Sequence, residues 1–194
     1  MNPAELLDEW LADFRTMLVT ETADPPVLMT LATVGPDGYP RTRNVMVSRV
    51  DAGNVLFHTD SRSDKARHLA GDPRVSLTIL AADRSRQVTV IGDAVRSDPA
   101  EEAQAYADRN RYLQLLARLN DHHLARQPEA VRHRRWADYA AAHPDLTDDP
   151  PATWVGYAVK PREYLFWTAD SEGPSQRLRF TRDGDGWRTA VIPG

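Results

Sequence analysis

Apolar residues at helical spacing open the chain: Leu6, Leu7, Trp10, Leu11, Phe14, Met17 and Leu18 share one side, with Glu5, Asp8, Glu9 and Asp13 on the other. The pattern predicts an amphipathic helix within residues 1–22 whose apolar stripe docks on a larger body. After Asp24-Pro25-Pro26 the period changes. Val27 to Val34 is an apolar, β-branched run closed by Gly35-Pro36-Asp37-Gly38, which reads as a strand and a hairpin turn. Arg41 to Val50 answers as a second strand, and Asp51-Ala52-Gly53-Asn54 turns into a third, Val55 to Thr59. Val75 to Leu80 and Gln87 to Val95 follow as a fourth and fifth. Between the third and fourth lies a short helix from Lys65 to Leu69, stopped by Gly71-Asp72-Pro73.

Ser97-Asp98-Pro99-Ala100-Glu101-Glu102 is a helix start, with a capping residue, proline at the first position and acids in the first turn. Helical sequence then runs to about Ala142, and His143 to Pro151 is a polar linker. Trp154 to Val159, Glu163 to Trp167, Leu178 to Thr181 and Trp187 to Ile192 read as returning strands. Short strands joined by tight turns favour an antiparallel barrel over a doubly wound sheet. The expectation is a mainly β single domain over residues 1–194 with peripheral helices. It has an N-terminal helix in 1–22, barrel strands in 27–96, a helical segment in 97–142 and C-terminal strands in 152–194.

Composition narrows the function. The formal charge of -4 argues against nucleic acid as the partner, because phosphate-backbone binding shows a clearly basic balance. The absence of cysteine excludes disulfides, thiolate nucleophiles and Cys-ligated metals, so redox chemistry needs a bound cofactor. His122, His123, His133 and His143 do not form metal-ligand spacings, and no metal site is expected. The acidic N-terminus is not a signal peptide, and no run is long enough to span a bilayer, so no membrane partner is expected and the cytoplasm is the expected location. Neither G-x-G-x-x-G nor G-x-x-x-x-G-K-[ST] occurs.

The chemistry concentrates in Val55-Leu56-Phe57-His58-Thr59-Asp60-Ser61-Arg62-Ser63-Asp64-Lys65, where a strand runs into hydroxyls, backbone N–H groups and cations at a helix start. Such a junction is an anion cradle. Arg41 and Arg43 on the second strand and Arg86-Gln87 at the start of the fifth are further phosphate contacts, or, in the structural alternative, partners for buried acids. Phe166-Trp167, followed ten residues later by Arg177, adds an aromatic and a cation from the C-terminal strands.

These segments, with Asp72-Pro73-Arg74-Val75-Ser76-Leu77, Arg86 to Gly92 and Tyr164-Leu165-Phe166-Trp167, carry a resemblance along nearly the whole chain. The sequence resembles the pyridoxamine 5′-phosphate oxidase family of FMN-dependent flavoproteins. The resemblance implies a split β-barrel homodimer with FMN in the cleft between subunits. It implies Arg43, Thr59, Ser63 and Lys65 on the FMN phosphate, with His58 beside them, and Val45 and Met46 along the flavin. Gln87 would bond the ring or ribityl region, and Trp167 and Arg177 would close the site. The implied chemistry is hydride transfer from a small-molecule substrate to flavin N5, with oxygen as acceptor.

Departures from the family pattern point to a changed substrate. Ser48 replaces a lysine, and Asp64 replaces an arginine and is expected to point away, neutralised by Arg62 or Arg67. Gly173 and Ser175 stand where the family has an arginine and a histidine that hold the B6 ring. Tyr106 matches a tyrosine that binds substrate phosphate, Arg109 or Arg111 matches an arginine, and Gln114 falls near a serine position. The expected function is thus an FMN-dependent oxidase whose substrate is not the usual B6 phosphate, similar to phenazine-pathway oxidases. The alternatives are authentic pyridoxine/pyridoxamine 5′-phosphate oxidation and a non-catalytic flavin-binding protein.

Overall fold

Asn2 accepts a hydrogen bond from the Ala4 N–H at 3.0 Å and Pro3 fits the first turn, so a helix, α1, starts at once and runs over Pro3–Leu18. The computed structural model describes residues 1–19, 25–144, 146 and 149–194. Residues 20–22 of the expected first helix, Asp24 before the first strand, and Asp145, Thr147 and Asp148 of the expected linker lie outside the described residues. Of the predicted stripe, Leu7, Trp10, Leu11 and Phe14 are buried, while Met17 is exposed. Among the described residues no helix is long and apolar enough to cross a membrane.

The chain divides into two compact units, the first comprising Met1–Phe57, Asp64–Arg96 and Tyr157–Gly194, the second His58–Ser63 and Ser97–Gly156. The first unit is built on antiparallel strands β1 (Leu28–Val34), β2 (Pro40–Met46), β3 (Arg49–Asp51), β4 (Asn54–Asp60), β5 (Arg74–Leu80), β6 (Arg86–Arg96), β7 (Trp154–Thr168), β8 (Gln176–Asp183) and β9 (Gly186–Pro193). Helix α2 (Asp64–Gly71) joins β4 to β5. The last residues of β4 and the first of β7 belong to the second unit.

The strand order is β2-β1-β5-β6-β7-β4-β3, with β8 and β9 added outside β7. The predicted second strand is therefore two strands, broken at Val47-Ser48. The Val47 N–H donates to Val27 O at 2.9 Å and the Ser48 N–H to Leu56 O at 2.8 Å. Two residues thus link opposite ends of the strand order, which curls the antiparallel sheet into a split barrel. The two strands predicted over 154–167 are, conversely, one strand. Pro161 is tolerated there because it sits at a bulge opposite Gly92, where the ladder is already interrupted. A Cβ on Gly92 would collide with the Lys160 backbone, so the bulge requires glycine.

Period-two alternation gives the sheet two faces. The register Arg43, Leu31, Leu77, Val90, Tyr164, Phe180 defines the core face, on which the last five are fully or nearly fully buried. Trp10 of α1 packs edge-on against Phe166 with ring centroids 5.0 Å apart, and the Tyr164 hydroxyl donates to Gly53 O at 2.8 Å. The register Asn44, Thr30, Thr78, Thr89, Leu165, Arg179 defines the opposite face, which is polar and partly exposed.

The second unit carries α3 (Pro99–Ala107), α4 (Arg111–Leu119), α5 (His122–Ala125) and α6 (Glu129–Ala142). Asp98, Asn110 and Asp121 cap the first three through side-chain oxygens, which is why the predicted helical stretch breaks where it does. Arg111 donates to the carbonyls of Ala140, His143 and Pro144, each at 2.8 Å, and so caps the last helix.

Candidate functional site

Within the first unit the core face ends at a cation. The Arg43 Nη1 donates to Thr33 Oγ1 at 2.8 Å and to Leu31 O at 3.2 Å. Thr33 is 1% exposed, and its Oγ1 lies 2.9 Å from His68 Nδ1 on α2. The threonine hydroxyl thus accepts from the guanidinium and shares a second hydrogen bond with the imidazole, bridging Arg43 and His68. No carboxylate forms an ion pair with Arg43 among the described residues. Burial holds the Arg43 pKa below the ordinary arginine value, opposed by the Asp64 charge, and the group stays charged at neutral pH.

Asp64 itself pairs with Arg67. Of the two neutralising residues expected, Arg62 instead forks onto Asp60 at 2.6 Å. Arg41, read as a companion of Arg43, is drawn off to Asp37 at 2.6 Å across the β1–β2 turn. Lys65 stands in the first turn of α2. Val45 pairs with the buried Met29 on the core face and Met46 with the exposed Leu28 on the other, so the two do not line one surface.

The opposite face brings three of the expected residues together. Gln87 on β6 is the register partner of Trp167 on β7, and Trp167 that of Arg177 on β8. Trp167 Nε1 donates to Ser175 Oγ at 2.9 Å, which fixes the indole against the β7–β8 connection. Gln87 Nε2 reaches Thr89 Oγ1 at 3.5 Å, and Thr89 bonds Thr78 at 3.1 Å.

In the second unit Thr59 Oγ1 and Ser63 Oγ lie 3.3 Å apart, and the Ser63 N–H donates to Asp60 O at 3.0 Å. His58, expected beside the phosphate, has its own partners within this unit. Its side chain is fully buried, stacks on Trp154 at 5.1 Å and 8°, and meets Glu101 Oε2 through Nε2 at 3.1 Å. Burial pulls its pKa down, with Glu101 opposing. Tyr106 and Arg111, expected at the substrate, likewise have partners within this unit. Tyr106 is 0% exposed and its hydroxyl accepts from Arg118 Nε at 2.9 Å, while Arg111 is spent on the carbonyls that end α6. Arg109 lies over the Trp154 ring at 5.8 Å, and burial lowers its pKa. Gln114 is buried and donates to Tyr106 O.

Thr33 and His68 were not singled out by sequence reasoning. A threonine inside a β-branched run and a histidine on a short helix carry no local mark of a polar relay. Arg179 was missed for the same reason, standing among ordinary strand residues.

Residues 19–168 match the family described as "Pyridoxamine 5'-phosphate oxidase", and residues 154–192 match the "Pyridoxine 5'-phosphate oxidase C-terminal dimerisation region". A protein of Rubrobacter xylanophilus named pyridoxine/pyridoxamine 5'-phosphate oxidase is 32% identical, covering 84% of this chain and 75% of its own. One of the same name from Acidothermus cellulolyticus is 32% identical over 98% of this chain and 84% of its own. Among solved structures, PhzG of Burkholderia lata 383 in complex with tetrahydrophenazine-1-carboxylic acid is similar, with a TM-score of 0.84 and 28% identity, covering 100% of this chain and 93% of that one. An FMN-binding protein of Nostoc punctiforme shares the fold, with a TM-score of 0.72 at 17% identity, covering 95% of each chain.

Proposed function

The chain belongs to the pyridoxamine 5′-phosphate oxidase family, and from that premise we propose that it is an FMN-dependent oxidase, acting as a homodimer, whose substrate is not the usual B6 phosphate. The observation that carries the cofactor reading is Arg43. A half-buried guanidinium without a carboxylate partner, aimed by a threonine that is itself held by a histidine, fits the phosphate monoester of FMN. Lys65, in the first turn of α2, adds charge. Gln87, Trp167 and Arg177 fit the ring system, with Trp167 as an apolar wall and Gln87 as a hydrogen-bonding edge.

Arg43 and the Gln87-Trp167-Arg177 row lie on opposite faces of the same sheet. One FMN that meets both sets takes Arg43 from one protomer and the row from a second copy, in keeping with the match of residues 154–192 to a dimerisation region. When bound, FMN supplies the hydride acceptor, N5, and passes the electrons to oxygen. The chain's own residues bind the phosphate, orient the ring plane and exclude water from it.

The substrate reading rests on the donors that a B6 phosphate would need. Tyr106 is enclosed, Arg111 is committed to α6, and Gly173 and Ser175 carry no charge. A hydroaromatic metabolite of the phenazine-pathway kind needs fewer such donors, and PhzG is the similar structure with such a ligand. The names of the 32%-identical relatives favour a second reading, authentic pyridoxine/pyridoxamine 5′-phosphate oxidation.

Purified protein titrated with FMN tests the cofactor first: it should turn yellow and bind FMN stoichiometrically per protomer. R43K keeps the charge but loses the two-nitrogen fork, and should weaken FMN binding about tenfold. A protein that takes up no FMN refutes the reading. With FMN bound, oxygen consumption on tetrahydrophenazine-1-carboxylate without pyridoxal phosphate formation from pyridoxamine 5′-phosphate supports the altered substrate, and the reverse result establishes the second reading.

A further inference from the structure

Two polar side-chain atoms among the described residues are buried without a hydrogen-bond partner, and one is Arg179 Nε. Nothing among the described residues forms an ion pair or hydrogen bond with the rest of that guanidinium, and the same holds for Arg177. Both arginines lie on β8 two residues apart and so project to the same face. That face is the one on which Arg177 is the register partner of Trp167, and Arg179 that of Leu165. Arg179 Nε is enclosed by the chain while the residue as a whole is partly exposed, so a ligand would meet the terminal nitrogens of the guanidinium. Two unpaired guanidinium groups beside an indole and an aliphatic side chain form a site for a flat, apolar ligand that ends in an anion.

We propose that Arg179, with Arg177 beside it, anchors the carboxylate of an aromatic or hydroaromatic substrate against Trp167 and Leu165. This rests on the reading of the Gln87-Trp167-Arg177 face as the wall of the flavin site. Arg177 is shared between ring closure and substrate, whereas Arg179 is the residue that sets specificity. A planar fork of donors holds a carboxylate in one orientation, so the arginine both selects the charge and fixes which ring edge meets the flavin. The surrounding apolar contacts do not distinguish an acid from its amide, and discrimination falls to the guanidinium.

The test uses FMN-loaded protein, phenazine-1-carboxylate as the probe, and phenazine-1-carboxamide as the uncharged control, both titrated calorimetrically. Wild type should prefer the carboxylate by about tenfold or more, the scale of one charge-assisted hydrogen bond. R179M should abolish that preference while leaving FMN affinity and sedimentation as a dimer unchanged, and R179K should retain part of it. A preference that is absent in wild type, or unchanged in R179M, overturns the proposal. So does an R179M protein that dissociates yet keeps the preference, which would make Arg179 the partner of an acid on a second copy. A wild-type protein that takes up no FMN overturns the flavin reading itself, seen before any carboxylate is added.

Discussion

Replacing Thr33 with valine removes the centre of the relay without opening a cavity, because the two side chains are nearly isosteric and the site is 1% exposed. The change deletes the 2.8 Å bond from Arg43 and the 2.9 Å bond to His68, and leaves Arg43 only the 3.2 Å contact with Leu31 O. The first is charge-assisted and contributes about 1.5–3 kcal/mol, the second about 1 kcal/mol. Burying a methyl in place of the hydroxyl returns about 0.8 kcal/mol. The net loss is about 2–3 kcal/mol, which at a urea m-value of about 2 kcal/mol/M lowers the unfolding midpoint by roughly 1 M. T33S keeps the hydroxyl and should retain most of the stability. FMN affinity should fall with T33V and hold with T33S, since the same hydroxyl aims Arg43. A T33V protein within about 0.5 kcal/mol of wild type, the range of inert substitutions, would refute the relay. Equal losses in T33V and T33S would refute it too.

Two other perturbations probe the frame around the site. G92A places a carbon against the Lys160 backbone at the β6–β7 bulge, where no flexible side chain can give way, and should destabilise by about 1–3 kcal/mol in thermal or urea unfolding; a wild-type melting curve would show that the bulge adapts. For pH, burial depresses the His58 pKa in the folded chain below the unfolded value of about 6.5. The unfolded state then binds more protons, so the contribution is fully present above about pH 6.5 and is lost as pH falls through the folded pKa. Urea midpoints measured between about pH 7.5 and 5 should decline, and H58N should flatten that decline; parallel profiles would show that His58 is not responsible.

Much of the architecture is written in local pattern. The helical period from Leu6 to Leu18, the turn at Gly35 to Gly38 and the proline-led start at Pro99 each report a backbone preference carried by a few neighbouring residues, and the structure has elements at all three. Motif order was enough to indicate the family, and with it the fold. The split of 41–50 at Val47-Ser48 was not legible, because Val-Ser is an ordinary strand pair. What breaks the strand is the pull of Val27 O on one side and Leu56 O on the other, from partners 20 and 8 residues away. The joining of 154–168 across Pro161 depends in the same way on a glycine about seventy residues earlier.

The candidate site divides along that line. By itself the sequence determined which residue types were on hand: an arginine on β2, hydroxyls and a lysine after β4, an indole and arginines on the last strands, and no cysteine. Tertiary structure decided what each of them meets within the chain. Tyr106, His58 and Arg111 have the chemistry to bind ligand, and within the chain they meet, in turn, burial, a stacked indole and three helix-end carbonyls. Thr33, an unremarkable strand residue, becomes the hinge of the Arg43 relay, and Arg179 stands with an unmatched buried donor. The physical reason is common to all five: a polar side chain's role is set by what else competes for its hydrogen bonds, and those competitors come from strands and helices distant in sequence.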